Sequence, residues 1–276
     1  MSGTPHLHRR AATAGGFTLV EMALVLLIVG LLAAVFLPAT NTLLDNNRRK
    51  ETRAKLQAIE QAMVRFVMVN RRLPCPADGA LPPGNANQGL ELVAAGACSP
   101  ATQINGVVPW RSLGVAQGDA TDAWNTLMTY RVWAALAQVN GLDMSGLNPA
   151  VTGEVGNWLL PRGFRVCSAS PCAANAAAEL ASPAKTTGVA YVLISHGVNR
   201  VHGFTTDGAY LATPNGAGPG PLEDINRNQL AVKTALGDFY ADAELAENPA
   251  AYFDDIVLRP TVMAVAMTAG LGPRKP

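Results

Sequence analysis

The chain has 276 residues, of which 49% are hydrophobic and 15% are charged, and its formal net charge is +1. This length allows one large domain or two small ones, and the hydrophobic content excludes a disordered polyelectrolyte. A net charge near zero gives no reason to expect nucleic acid as a partner. Glycine and proline are frequent after residue 74, which predicts a C-terminal region rich in turns and long loops.

The N-terminal region is a short basic leader followed by a long apolar run. The run extends from Phe17 to Leu37, and Glu21 is its only charged residue. A helix of this length extends about 31 Å, which matches the bilayer core of roughly 30 Å. Because an unpaired carboxylate is costly in hydrocarbon, Glu21 predicts a functional partner. Cleavage after Gly16 would provide one, since Phe17 of a neighbouring copy would then carry a free amine.

The apolar run opens with the sequence Gly15-Gly16-Phe17-Thr18-Leu19-Val20-Glu21. This sequence, between a basic leader and an apolar helix, resembles the class III signal of type IV prepilins and type II secretion pseudopilins. The resemblance implies that a prepilin peptidase cuts after Gly16 and methylates the amine of Phe17, and that Glu21 directs assembly. An ordinary signal anchor is the alternative. A cleavable secretory signal fits poorly, because its small residues should follow the apolar core and not precede it.

The chain divides into four segments on this basis. Pro38 predicts a kink in a helix that runs from Phe17 to about Arg72. Pro74 and Pro76 end this helix. Beyond Pro38 an apolar stripe predicts an amphipathic surface, formed by Leu56, Ile59, Met63, Phe66 and Val67. The segments are a leader (1–16), a transmembrane and assembly helix (17–37), the amphipathic helix of the head (38–73) and a globular head (74–276).

The resemblance implies an α+β fold, in which the long N-terminal α-helix packs against an antiparallel β-sheet head with long loops. Short β-branched or aromatic segments fit such a sheet. These segments are Leu127–Trp133, Phe164–Ser168, Val189–Ser195 and Asp254–Val265. In addition, Asp122-Ala123-Trp124-Asn125 resembles a turn that precedes a strand in pseudopilin heads. Glycine is usual at the position of Asn125, and asparagine also tolerates the positive φ of such a turn.

Four cysteines are compatible with a disulfide-stapled head in an oxidising compartment: Cys75, Cys98, Cys167 and Cys172. Three pairings are open if all four are oxidised. We favour Cys75–Cys98 and Cys167–Cys172, because sequence neighbours pair without crossing distant loops. A zinc site with four cysteine ligands is the alternative, but the paired C-x-x-C knuckles of such a site are absent.

No pattern in the sequence predicts an enzyme, and no catalytic or metal-binding residue is assigned. Ser195 and His196 are adjacent, so their side chains point in opposite directions on a strand and cannot form a hydrogen-bonded dyad. The nucleophile elbow G-x-S-x-G is also absent. We interpret His196 and His202 as turn or surface histidines and not as metal ligands.

Calcium is the one cofactor that the sequence leaves open. Some pseudopilin heads bind calcium in a late loop. Four acidic residues could contribute here, although their spacing does not select them: Asp207, Asp224, Asp254 and Asp255. Asp224, Asn226 and Asn228 alternate like the oxygen ligands of a calcium loop, but the glycine and the final glutamate of such a loop are missing.

The sequence therefore predicts a structural subunit of a type IV pilus-like or type II secretion filament. A minor pilin or pseudopilin is favoured over a major one, because long loops must be accommodated at every repeat of a major subunit. The expected partners are prepilin peptidase, the inner-membrane assembly platform, other pilins or pseudopilins, and membrane lipid before assembly. The alternatives are a membrane-anchored periplasmic enzyme and an adhesive binding module, each carrying a prepilin-type N-terminus.

The expected location is the bacterial inner membrane, with a single pass and the head in the periplasm, and then an extracellular or periplasmic filament. The positive-inside rule opposes this orientation. Five basic residues follow the apolar run: Arg48, Arg49, Lys50, Arg53 and Lys55. We interpret them as a solvated helix face, with binding of phospholipid headgroups as the alternative.

Overall fold

The computed structural model describes residues 16, 18–94, 96–98, 106–169, 178–227 and 239–275, with the backbone alone at 35–41. The chain forms two compact units, Met1–Asn47 and Arg48–Pro276. Helix α1 (Leu19–Asn70) contributes residues to both units. The other α-helices in the described residues are short: α2 (Trp110–Leu113), α3 (Glu154–Leu159) and α4 (Val262–Thr268).

Helix α1 begins with a reciprocal pair of hydrogen bonds between Thr18 and Glu21. The backbone N–H of Thr18 donates to Glu21 Oε2 at 2.9 Å, and the backbone N–H of Glu21 donates to Thr18 Oγ1 at 3.2 Å. This is a capping box, which satisfies two N–H groups at the open end of a helix. The backbone stays helical across Pro38. The helix ends before Arg71, whose φ of 52° is left-handed.

Among the residues that the structure describes, no helix has both the length and the apolar character that crossing a membrane requires. The division of α1 into a transmembrane half and an amphipathic half therefore stays a prediction.

The second unit is built around an antiparallel sheet, which confirms the α+β class. The described strands are β1 (Ala77–Asp78), β2 (Val93–Ala94), β3 (Ala97–Cys98), β4 (Gly106–Val107), β5 (Thr126–Leu127), β6 (Thr129–Val132), β7 (Arg165–Cys167), β8 (Glu179–Ala181), β9 (Tyr191–Ser195), β10 (Phe204–Thr205), β11 (Phe239–Ala241) and β12 (Ile256–Leu258). The central sheet has the order β1-β4-β6-β9-β12. In its register Thr129 lies opposite Ile194, and Ile256 lies opposite Ser195.

The core of the second unit lies between α1 and the central sheet. Four residues of the predicted stripe, Leu56, Ile59, Met63 and Val67, are at most 2% exposed and belong to one cluster with Tyr130 and Leu193 of the sheet. The fifth stripe residue, Phe66, is half-buried under the guanidinium of Arg72. The predicted amphipathic surface is therefore confirmed in the part of α1 that belongs to this unit, and it positions the sheet.

A smaller sheet, of order β11-β7-β8, departs from the antiparallel expectation. Strands β11 and β7 pair in parallel, with Tyr240 opposite Val166. Aromatic edge-to-face contacts support this sheet, because the Phe164 ring lies 5.4 Å from Trp133 and 5.1 Å from Tyr240. Neighbours in a parallel pair are joined by long connections, so this pairing leaves no signal in local sequence.

The predicted strand Asp254–Val265 is only partly right. The strand stops at Leu258, and α4 occupies the second half of the segment. Pro260 has no N–H to donate to a ladder, and the Thr261 hydroxyl accepts a hydrogen bond from the N–H of Ala264 at 3.2 Å. An N-cap threonine after a proline therefore converts an apolar, β-branched sequence into a helix.

The disulfide Cys75–Cys98 joins the end of the α1 region to β3, with its Cα atoms 5.3 Å apart. Glu91 braces the same region, because it takes a two-armed ion pair from Arg72 at 2.8 Å and accepts from the N–H of Cys75 at 2.8 Å. This disulfide was predicted, and it is confirmed. Cys167 is also disulfide-bonded, whereas its predicted partner Cys172 lies outside the described residues.

Candidate functional site

The predicted processing site is described only at its central residue. Gly15 and Phe17 lie outside the described residues, and Gly16 is exposed. Among the described residues, no atom lies within 4 Å of a Cβ added at Gly16. The described part of the fold therefore gives no steric reason for glycine at this position.

Glu21 is exposed and has a local partner that the sequence analysis missed. Its Oε2 accepts from both the backbone N–H and the hydroxyl of Thr18, at 2.9 and 3.0 Å. The motif T-x-x-E before an apolar run is the sequence signal of a capping box and would have identified this contact. The capping box explains why an acid stands at the start of the helix. It needs only an oxygen acceptor from Glu21, so the negative charge of the carboxylate remains available to a partner.

The surface of α1 on both sides of Glu21 is apolar and exposed. Its large side chains are on average more than half exposed, and Leu19 reaches 88%. The set includes Leu19, Val20, Leu24, Leu26, Leu27, Ile28 and Leu31. Soluble monomers rarely leave a continuous apolar patch of this kind in water. This surface therefore requires a covering, either lipid or protein.

The turn predicted at Asp122–Asn125 is present and is structural. Asn125 has a φ of 60°, as expected for the position where glycine is usual. Asp122 is buried, and its Oδ1 accepts from the backbone N–H groups of Trp124 and Thr126, each at 2.9 Å. Its Oδ2 accepts from the Ser195 hydroxyl at 2.6 Å, which ties the turn to β9. Burial raises the pKa of Asp122, and these hydrogen bonds oppose the rise.

His196 and His202 lie in the loop after β9, but the interpretation as surface histidines is wrong, because both are buried. His196 Nε2 lies 2.8 Å from Thr129 Oγ1, and its Nδ1 lies 3.3 Å from Asp255 Oδ1. Positive φ values at Arg200 and His202 turn the chain back over the sheet and bury the second ring. Burial is the main reason that the pKa of His202 falls to about 4.

Three buried carboxylates meet in the second unit, and we call them the acid cluster: Glu223, Asp254 and Asp255. One oxygen from each lies within 4.8 Å of the other two. Glu223 begins the 3₁₀ turn Glu223–Asn226, whereas the two aspartates directly precede β12. Burial and the two neighbouring aspartates raise the pKa of Glu223 to about 10.

Neutral donors hold the acid cluster. The amide of Asn199 donates to both oxygens of Glu223 at 2.9 Å, and its backbone N–H donates to Asp254 Oδ2 at 3.0 Å. The Asn226 amide donates to Asp255 Oδ2 at 2.8 Å. Asp254 Oδ1 is buried and accepts no hydrogen bond in the described part of the chain, whereas Asp255 Oδ1 faces His196 Nδ1 at 3.3 Å. An unused oxygen in a buried acidic group is what a bound cation would engage.

The structure brings together only part of the calcium set that the sequence left open. Asp254 and Asp255 lie in the acid cluster, Asp207 is exposed, and Asp224 pairs with Arg227. Asn226 supports the cluster as a donor, and Asn228 lies outside the described residues. Sequence reasoning missed Glu223, because only the fold brings it beside two aspartates that follow much later in the chain.

No family model, curated protein or solved structure matches this chain. The function is therefore argued from the residues and the geometry described above.

Proposed function

We propose that this protein is a structural subunit, of the minor pilin or pseudopilin type, of a type IV pilus-like or type II secretion filament. The observation that carries the proposal is the sequence Gly15–Glu21 at the start of a helix whose apolar surface is exposed. Prepilin peptidase would cut after Gly16 and methylate Phe17. The described residues around residue 16 give no steric reason for glycine there, which is consistent with a requirement imposed by a processing enzyme.

Before assembly, the apolar part of α1 would lie in the bacterial inner membrane, with the head in the periplasm. An assembly platform would then transfer the subunit into a filament, where α1 packs against other pilins or pseudopilins. The apolar surface is covered in lipid and covered again in the filament, so the hydrophobic free energy changes little. Glu21 would fix the axial position, because its charge is satisfied only beside the amine of a neighbouring Phe17.

The basic residues after the apolar run oppose this orientation less strongly than their number suggests. Arg49 is buried and donates to the carbonyl of Asp254 at 3.4 Å. Lys55 donates to the carbonyl of Thr121 at 3.0 Å and pairs with Glu51. Two of the five charges therefore serve the head, and their positions are explained without reference to membrane topology.

We also propose that the acid cluster holds a divalent cation, and that calcium is the best candidate. Three carboxylates and no sulfur ligand form a hard oxygen donor set, which suits calcium or magnesium. Glu223, Asp254 and Asp255 would be the side-chain ligands. A bound calcium ion would offset the mutual repulsion of the carboxylates and link the 3₁₀ turn Glu223–Asn226 to the start of β12.

The decisive experiment for the filament proposal is N-terminal mass spectrometry of this protein from sheared surface filaments. We expect mature chains that begin with methylated Phe17. Replacement of Gly16 by leucine should leave a full-length precursor outside the filament fraction. Gly30→Leu, which adds the same bulk at a helical site beyond the cleavage position, should still be cleaved after Gly16. If the native protein still begins at Met1 and is absent from the filament fraction, the proposal is refuted.

A further inference from the structure

Arg49 on α1 lies against the acid cluster. Its side chain is 7% exposed, its Nη1 donates to the carbonyl oxygen of Asp254 at 3.4 Å, and its guanidinium lies 5.9 Å from the centre of the Trp124 ring. Its neighbours Arg48 and Lys50 are exposed. Of these three consecutive basic residues, Arg49 alone is folded into the head, where it contacts the main chain of a residue that supplies one of the three carboxylates.

Glu223 and Asp254 differ from Asp255 in the groups that face them. The hydrogen bonds described for Glu223 and for the Asp254 side chain come from neutral groups, namely Asn199 and the Tyr252 hydroxyl, whereas Asp255 faces the ring of His196. Arg49 adds a permanent positive charge to the same region, because a guanidinium does not lose its proton in proteins. A fixed cation beside a group of carboxylates stabilises them when no metal is bound, and it repels a metal that binds there.

We propose that Arg49 is the resident counter-charge of the acid cluster, which it stabilises without a cation and whose affinity for a divalent cation it lowers. The inference rests on the proposed cation site. It also links the site to α1, because cation binding at the cluster and the contact of Arg49 with Asp254 oppose each other. By thermodynamic reciprocity, the contact lowers the affinity for the cation by the same factor by which the bound cation weakens the contact.

The test is calcium titration of the full-length protein in detergent, after chelation, by isothermal calorimetry. Arg49→Met keeps an aliphatic stem over Trp124 and removes the charge, whereas Arg49→Lys keeps the charge. We expect Arg49→Met to bind calcium about tenfold more tightly than the wild type, the order expected when one like charge is removed at the effective dielectric of a protein. Arg49→Lys should bind with nearly the wild-type constant.

Thermal unfolding separates this role from simple packing. Arg49→Met should have a lower melting temperature than the wild type in chelator. The difference between the two proteins should be smaller in saturating calcium, because the bound cation replaces the missing charge. A residue that only packs would lower both melting temperatures equally and leave the calcium constant unchanged, and that result would overturn the inference. If Arg49→Met does not fold, Arg49→Gln, which keeps a donor for the Asp254 carbonyl, gives the same comparison.

The outcomes also distinguish this inference from the site on which it rests. If the wild type does not bind calcium, the cation site is refuted and the role of Arg49 with it. If the wild type binds, Glu223→Gln does not, and Arg49→Met binds equally or more weakly, the site stands and the role of Arg49 is refuted. Binding that survives Glu223→Gln unchanged would place calcium elsewhere and refute both.

Discussion

The carboxylate of Glu21 in the first unit and the carboxylates of the acid cluster in the second unit obtain their hydrogen bonds in different ways. Glu21 is exposed and takes its hydrogen bonds from Thr18, three residues away. The acid cluster is buried and is assembled from two segments that are distant in the sequence, with donors from a third around Asn199. The hydrogen bonds of Glu21 leave the charge of its carboxylate available to a partner molecule. The carboxylates of the acid cluster repel one another, and in our proposal they need a counter-charge inside the head.

The largest expected effect separates the two roles of Glu21. Glutamine can keep the capping box, because its side-chain oxygen still accepts from the N–H of Thr18, but it has no charge for an amine. We expect both Glu21→Ala and Glu21→Gln to be cleaved and yet absent from sheared filaments. Thr18→Ala removes the hydroxyl that caps the N–H of Glu21, keeps the charge of Glu21 and should still assemble, since a lost cap costs only about 1 kcal/mol.

This comparison is read by immunoblot of the filament fraction together with mass spectrometry of the N-terminus. Normal incorporation of Glu21→Gln would mean that Glu21 acts only as a cap. Failure of Thr18→Ala to assemble, with cleavage intact, would point to the start of the helix and not to the charge.

The second prediction concerns removal of calcium from the head. At a free calcium concentration about 100 times the dissociation constant, binding stabilises the folded state by about 3 kcal/mol. For a chain of this size that corresponds to a rise in melting temperature of about 6–10 °C relative to chelator. Glu223→Gln should abolish the rise, whereas Asp207→Asn, at an exposed acid, should leave it intact. Equal melting temperatures of the wild type in calcium and in chelator would contradict the cation site.

The features that could be predicted from the sequence are those set by near neighbours. The stripe from Leu56 to Val67 repeats with the helical period, and the turn at Asn125 needs only one residue that tolerates positive φ. The pairing Cys75–Cys98 also joins sequence neighbours. Each of these depends on a geometry that spans only one element or loop.

The features that were missed depend on contacts between distant segments. Glu223 joins Asp254 only through the fold, and the parallel pair of β7 and β11 needs a long connection. The burial of His196 follows from its place beside Thr129 and Asp255, which no local pattern reports. The capping box at Glu21 is the exception, because its signal, T-x-x-E before an apolar run, is local.

The third prediction uses His202, which is buried beside Asp224 and the ring of His196. Its folded pKa is about 4, below the value of 6.5 for an exposed histidine. The unfolded chain therefore takes up a proton below pH 6.5, whereas the folded chain does so only near pH 4. Stability should fall by about 2 kcal/mol between pH 7 and pH 5 through this residue alone.

The control for this pH effect is His202→Asn, which does not titrate and tolerates the φ of 71° at this position. The measurement is the free energy of unfolding of both proteins from pH 7 to pH 5, in chelator. The wild type should lose more stability than the variant on acidification. Parallel pH curves for the two proteins would show that His202 does not carry the effect.

The smallest expected effect is that of Asp122→Asn. Asp122 is buried like the acid cluster, but its hydrogen-bond donors include near neighbours in the sequence, as those of Glu21 do. Asp122→Asn keeps an oxygen for the N–H groups of Trp124 and Thr126, and only the contact with Ser195 must reverse its direction. We expect a loss of about 1 kcal/mol in the free energy of unfolding, whereas Asp122→Ala, which leaves buried donors unsatisfied, should lose about 3 kcal/mol. Thermal unfolding compares the two variants.

Equal losses for the two Asp122 variants would mean that the charge itself, and not the accepted hydrogen bonds, holds the turn. The expected inequality has the opposite pattern to that of Glu21, where glutamine should fail as completely as alanine. At Asp122 the carboxylate is a hydrogen-bond acceptor for its own chain, so an amide is an adequate replacement. At Glu21 the chain already satisfies the acceptor with Thr18, and the proposed use of the remaining charge is to pair with a second molecule.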